Sequence, residues 1–300
     1  MPYDLSKYLV IGISSRALFD LSSENEIYEK EGLEAYSKYQ IAHEDDILKP
    51  GTGFPLIKAL LKLNEKIPLK RKSEVIIMSR NSTDTSLRIF NSIEYYGLDI
   101  QRAALTGGVP LAPYLNAFNI DLFLSASEED VQAAINTNIA AGLLYSYPED
   151  YQADIEQIRI AFDGDAVLFS EESELIYQEK GLEEFLKHEK QNARKTLPEG
   201  PFAKLLKTLS YIQNEADFDK PQIRTALVTA RSSPAHERVI RTLREWNVRI
   251  DEAFFLGGVS KSEILKAFKA HLFFDDQDVY CAPASKSVPV ARVPYKNKIN

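Results

Sequence analysis

Apolar residues fall along this chain in two alternating rhythms. Short unbroken runs such as KYLVIGI, SEVIIMS, IDLFLSA, QIRIAF, QIRTALVT and AHLFFDD are rich in β-branched and aromatic residues. Continuous apolar runs of this length predict strands buried on both faces. LDIQRAALT, IDEAFFLG and SVPVARV fit the same description less fully. Between them, FPLIKALLKLNEKI, SLRIFNSIEYYG and AHERVIRTLREWN space their apolar residues three and four apart, which predicts amphipathic helices. Strand–helix alternation predicts an α/β fold with a mainly parallel sheet covered on both faces.

The order of these segments repeats. IYEKEGLEAYSKY at Ile27 returns as IYQEKGLEEFLKH at Ile176, and LTGGV at Leu105 returns as FLGGV at Phe255. GFPLIKALLKL parallels GPFAKLLKTL, and YLNAFNIDLFLSA parallels ILKAFKAHLFFDD. One match is generic α/β resemblance. Several in the same order at nearly constant spacing indicate a duplicated unit. The reading is two tandem Rossmann-like units, residues 1–145 and 146–300, with the boundary in the polar YSYPEDYQAD segment, Tyr145 to Asp154.

Setting the halves side by side isolates the chemistry. FDGDAVLF faces ISSRALF, so Ser14 stands opposite Asp163 and Arg16 opposite Asp165. The apolar frame is kept while the charges are gone, so the fold does not need them. LVTARSS carries Thr229 where IMSRNS has Ser79, and GGVSKSEIL carries Lys261 where GGVPLAPYL has Leu111. LFFDDQ carries Asp275 and Asp276 where LFLSAS has Ser125 and Ala126. All these positions lie at or just past strand C-termini, the edge where open α/β sheets bind ligands.

Clustered carboxylates raise one another's pKa, and a hard divalent cation removes the conflict. Magnesium suits a few carboxylate oxygens with water or phosphate at its other positions. Lys261 and Thr229 supply a cation and a hydroxyl for a phosphoryl group. Asp163 suits a nucleophile, and Asp165, released from strand geometry by Gly164, suits a general acid/base.

Lys plus Arg total 36 against 44 Asp plus Glu, a net charge of −8, which disfavours a nucleic-acid polymer as partner. The single cysteine, Cys281, excludes an internal disulfide and a cysteine zinc site, and packs as a small hydrophobe. The apolar run near the start is too short for a signal or a membrane span, so a cytoplasmic protein is expected. His43, His188, His236 and His271 lack metal-ligand spacing. Tyr95, Tyr96 and Trp246 are expected to pack, and His188 to Lys195 to form a solvated, charged helix face. Ala230, Arg231 and Ser232 follow Thr229 as candidate phosphate contacts, with a surface ion pair the alternative for Arg231. Arg16 is expected to pair with Asp20 or another acid, the alternative being an anion site.

D-x-D after a strand, then Thr, Lys and Asp-Asp after later elements, resembles the haloacid dehalogenase superfamily. The forms FDGDAVLFSEESE, LVTARSS, FFDDQ, ISSRALFDL, IYEKEGLEAY and LTGG resemble the cytosolic 5′-nucleotidase I family, from about Leu9 to Tyr295. The resemblance implies two haloacid dehalogenase-like units, the first degenerate and the second catalytic, with a small cap insertion at about residues 171–222. It implies a magnesium-dependent phosphohydrolase of nucleoside 5′-monophosphates, AMP or deoxynucleotides, working through an aspartyl-phosphate. By that resemblance Asp163 is nucleophile and metal ligand, and Asp165 is acid/base and ligates through its carbonyl. Thr229 binds the phosphoryl oxygens, Lys261 bridges nucleophile and phosphate, and Asp276 ligates the metal with Asp275 behind it. Tyr177, Phe185 and Phe202 of the cap would close over the nucleoside. A nucleotide effector and a homo-oligomer stay open. So do a phosphatase of another small phosphomonoester and a nucleotide-sensing binding protein.

Overall fold

The computed structural model describes residues 4–66, 72–146, 157–215 and 222–296. The chain divides into two compact units, the described residues up to Leu144 in one and those from Tyr145 in the other. All but the first two residues of the expected boundary segment lie outside the described residues.

The first unit begins with β1 (Tyr8–Ile13), a short turn of helix α1 (Ser15–Leu18), and β2 (Phe19–Asp20), which pairs antiparallel with β3 (Lys49–Pro50). Helix α2 (Ser22–Ala42) lies between those two short strands, and α3 (Phe54–Lys66) follows. Then come β4 (Lys72–Ser79), α4 (Leu87–Tyr95), β5 (Arg102–Leu105), α5 (Ala112–Ala117), β6 (Leu122–Ser125), α6 (Glu128–Asn136) and β7 (Ala140–Leu144). The five longer-range strands run parallel in the order β5-β4-β1-β6-β7. Val10, Ile11, Ile13 and Val75 to Met78 are buried, as continuous apolar runs require of central strands.

The second unit contains β8 (Ile158–Phe162), α7 (Glu172–Gln191), α8 (Ala203–Glu215), β9 (Ile223–Thr229) and α9 (His236–Glu245). It continues through β10 (Glu252–Phe255), α10 (Lys261–Phe268), β11 (Leu272–Asp275), α11 (Asp278–Ala284) and β12 (Val290–Arg292). Its strands are parallel in the order β10-β9-β8-β11-β12. The central strand therefore has its successors on both sides, which opens a crevice at its C-terminal end. Edge strands β5 and β10 are shorter than the apolar runs that announced them, because an edge position pairs on one side only.

Small contacts recur in each unit. Ser14 N–H donates to Leu124 O at 2.9 Å, and Asp163 N–H to Phe274 O at 2.8 Å. The Ser92 hydroxyl accepts from Leu48 N–H, and the Thr242 hydroxyl from Leu197 N–H. Both long helices break at a glycine in the left-handed region, Gly32 at φ 84° and Gly181 at φ 79°, where a side chain would be strained. The repeated EGLE and KGLE motifs are thus helix–glycine–helix joints.

Part of the segment expected as a cap, residues 171–222, packs on the sheet. Helix α8 buries Leu205, Leu206, Leu209 and Ile212 and packs on β9, so it covers the sheet. Phe202 is fully buried with its ring 4.6 Å from that of Phe274, and is a core residue rather than a lid over a ligand. Residues 216–221 lie outside the described residues.

Candidate active site

Three neighbouring strands of the second unit end at one place. Asp163 is the first residue past β8, Thr229 the last of β9, and Asp275 the last of β11 with Asp276 directly after it. Lys261 opens α10. The parallel register of β8 with β9 and β11 sets these residues side by side.

Asp163, Asp275 and Asp276 are all buried, and each brings an oxygen within 4.8 Å of the others. Lys261 Nζ donates to Asp163 Oδ1 and to Asp275 Oδ2, both at 2.7 Å. One buried cation thus faces three buried carboxylates, and the imbalance shows in their titration. Burial pushes the Asp163 carboxyl well up; Lys261 opposes the shift, while Asp275 and Asp276 add to it. Asp276 is pushed up to about 7 by burial and by the charge of Asp275. Burial disfavours the Lys261 ammonium, but Asp163 and Asp275 outweigh it and hold the proton more firmly than usual. The Tyr280 ring sits over this ammonium at 4.3 Å.

The two members of the Asp-Asp pair differ. Asp275 spends one oxygen on Lys261 and the other on Gln277 N–H at 2.9 Å. Asp276 accepts from the Tyr295 hydroxyl through Oδ2, and its buried Oδ1 has no partner. An unpartnered buried carboxylate oxygen is costly, and beside two more acids it is the group a hard cation would satisfy. The trio therefore fits a divalent cation.

Asp165 faces another way. Arg231 grips it with two hydrogen bonds, Nε to Oδ2 at 2.8 Å and Nη2 to Oδ1 at 2.6 Å. Arg231 also donates to Glu189, and its guanidinium stacks 5.3 Å from the Phe185 ring. Glu189 is fully buried and accepts as well from Arg238 and the Ser173 hydroxyl, each at 2.9 Å. This corrects two expectations. Arg231 is a buried, not a surface, ion-pair residue. The charged stretch His188 to Lys195 is not all solvated, because Glu189 is its inward anchor. Thr229 Oγ1 accepts from Arg231 N–H at 3.2 Å. Ala230 is exposed, and Ser232 is half-buried beside Gly257.

The sequence reading missed Glu174. It is half-buried, and its Oε1 accepts from Gln178 at 2.9 Å and Gln277 at 3.3 Å. Burial raises its carboxyl, with the Asp165 charge adding to the shift and the Gln178 hydrogen bond opposing it. The signal was available: the matching position of the first half is Asn25. Cys281 is buried and free, with burial holding its thiol protonated.

The second unit sets a buried cation beside three acids at the crevice of its sheet, a set whose chemistry fits a divalent cation. The chain matches the 5′-nucleotidase family over residues 1–300 and belongs to that family. It is 38% identical to human cytosolic 5′-nucleotidase 1B over 97% of its own length and 50% of that protein. The chain thus spans about half the length of this curated relative. No solved structure matches it. Among the described residues no helix is long and apolar enough to cross a membrane.

Proposed function

We propose that this protein is a magnesium-dependent 5′-nucleotidase that hydrolyses nucleoside 5′-monophosphates, AMP or deoxynucleotides, to nucleoside and phosphate. The observation that carries the reading is the buried Lys261 bridging Asp163 and Asp275 beside the unpartnered oxygen of Asp276, in a chain of this family.

Asp163 Oδ1 is held by Lys261, which leaves Oδ2 to attack phosphorus. The new Asp163–phosphorus bond forms as the ester bond to the sugar oxygen breaks. Lys261 and the Thr229 hydroxyl neutralise charge on the phosphoryl oxygens. Asp165 delivers a proton to the leaving oxygen, then takes one from the water that cleaves the aspartyl-phosphate. Both Asp165 oxygens are occupied by Arg231 in this structure, so the pair must open as substrate arrives. Bound magnesium, held by Asp163, Asp276 and the Asp165 carbonyl with Asp275 behind them, would supply positive charge to the phosphoryl group. Helix α7 and the loop after it serve as the cap, with Glu174 on it near Asp165.

The two units are read as duplicates, the first having lost the acids. Their identical strand orders and the matched Ser14/Asp163 and Ser92/Thr242 contacts support this. The name of the human relative places that protein in the cytosol, and the same compartment is inferred here. Phosphate release from AMP with magnesium, compared with EDTA and with a panel of sugar phosphates, tests the function. Turnover of sugar phosphates in preference to AMP would overturn the substrate assignment.

A further inference from the structure

We propose that the first unit carries a second binding pocket, at the ends of β1, β4 and β6, for a phosphomonoester anion taken without a metal ion. The location follows from reading the units as duplicates; the chemistry rests on first-unit residues alone.

Ser14 directly follows β1, while Ser79 and Ser125 close β4 and β6. β1 lies between the other two, with Ile13 in register with both Ile77 and Leu124. Ser14 is 8% exposed, and its buried Oγ has no hydrogen-bond partner. A buried hydroxyl left so costs free energy that a ligand oxygen would recover. The Ser15 and Ser79 hydroxyls meet at 3.1 Å. Hydroxyls rotate to donate, so this edge offers several donors to an oxyanion.

The charge of the edge is inverted relative to the second unit. There, Arg231 is consumed by Asp165 and Glu189. In the first unit Arg16 stands at the Asp165 position, with Asn81 and Gln40 replacing Arg231 and Glu189. Arg16 is exposed and has no ion-pair partner among the described residues. The expected partner, Asp20, instead accepts from the Ser22 N–H and hydroxyl through its Oδ1. The nearby buried acid, Glu24, is held by Arg88 at 2.6 Å. The exposed Arg16 guanidinium, two residues past Ser14 and without an ion-pair partner among the described residues, is the group to attract an anion to these hydroxyls. The positions that carry Asp163, Asp165, Asp275 and Asp276 in the second unit are Ser14, Arg16, Ser125 and Ala126 here, so none of them can bind a hard cation or attack phosphorus, and the ligand is held and not cleaved.

The test uses the full chain carrying Asp163→Asn, which blocks turnover, in EDTA, which disables the metal-assisted site. Equilibrium dialysis with labelled AMP should show one equivalent bound, displaced by inorganic phosphate and not by adenosine. Adding Arg16→Gln should weaken binding about tenfold or more, the loss expected for one charge-assisted hydrogen bond. Arg16→Lys should retain most of it. If inorganic phosphate alone binds as tightly as AMP, the pocket takes the free ion, and the phosphomonoester assignment is overturned. No binding in EDTA, or binding indifferent to Arg16→Gln, overturns the site itself. AMP hydrolysis by the otherwise unaltered chain with magnesium is a separate readout, which Arg16→Gln should leave unchanged.

Discussion

Asp163 and Asp165 stand two residues apart and answer to different cations. Asp163 is held by Lys261 at 2.7 Å within the acidic cluster, and Asp165 by the bidentate Arg231 outside it. The intervening Gly164 sits so close to Thr229 that an added Cβ would lie 3.3 Å from Oγ1. That spacing sets two carboxylates in two different environments, as the proposed division between attack and proton transfer requires.

The two tasks separate by substitution. Asp163→Asn keeps the shape and removes the nucleophile, so AMP hydrolysis should fall roughly a thousandfold or more with folding intact. Asp165→Asn should be similarly crippled on AMP but retain far more rate on aryl phosphates, whose leaving groups need no proton. Equal losses on both substrates, measured as kcat, would remove the acid role from Asp165.

The unequal hydrogen bonding of Asp275 and Asp276 underlies the proposed metal order. Asp276→Ala should raise the magnesium concentration for half-activity about tenfold or more, and Asp275→Ala should act mainly by misplacing Lys261. Stability without metal carries a matching sign. A carboxyl with its folded pKa raised stabilises the fold only while protonated, so in EDTA the Asp276 contribution is present below 3.8 and lost as pH rises through about 7. Magnesium should therefore raise the melting temperature more at pH 8 than at pH 5. A pH-independent magnesium effect in differential scanning calorimetry would contradict this assignment.

Arg231 links Asp165 to helix α7 through Glu189. Arg231→Lys keeps the charge and loses the two-pronged grip, so Asp165 should be poorly placed. The expected result is kcat on AMP down about tenfold or more, with KM little changed and aryl phosphates less affected. A rise in KM with unchanged kcat would instead make Arg231 a contact to substrate phosphate.

The strand ends were legible because Asp163, Thr229 and Asp275 close or directly follow continuous apolar runs, and comparison of the halves marked where their charge differs. The same comparison held Glu174 against Asn25 and Glu189 against Gln40, yet neither announces itself within a charged amphipathic helix. The Glu189 anchor depends on Arg231 and Arg238, 42 and 49 residues away. No local pattern encodes such a pairing. Helix α8 falls within the cap segment that the family resemblance implies, yet its apolar face is buried.

His271 offers a test of the fold away from the site. Its Nδ1 accepts from Arg159 N–H at 2.9 Å, where Asp121 Oδ2 does the same for Val10 N–H in the first unit. Burial, then the charge of Arg159, lowers its pKa from 6.5 to about 4. For a histidine depressed in the folded state, the unfolded chain takes up the proton first. The neutral ring's contribution is full above about pH 6.5, shrinks as pH falls, and is exhausted near pH 4. His271→Asn keeps an acceptor oxygen for Arg159 and cannot titrate. The stability difference between the two proteins, from urea unfolding at each pH, cancels every other titrating group. It should move in favour of His271→Asn by about 3 kcal/mol between pH 7 and pH 4. Parallel stability curves over that range would show that His271 charges as readily in the folded protein as in the unfolded chain.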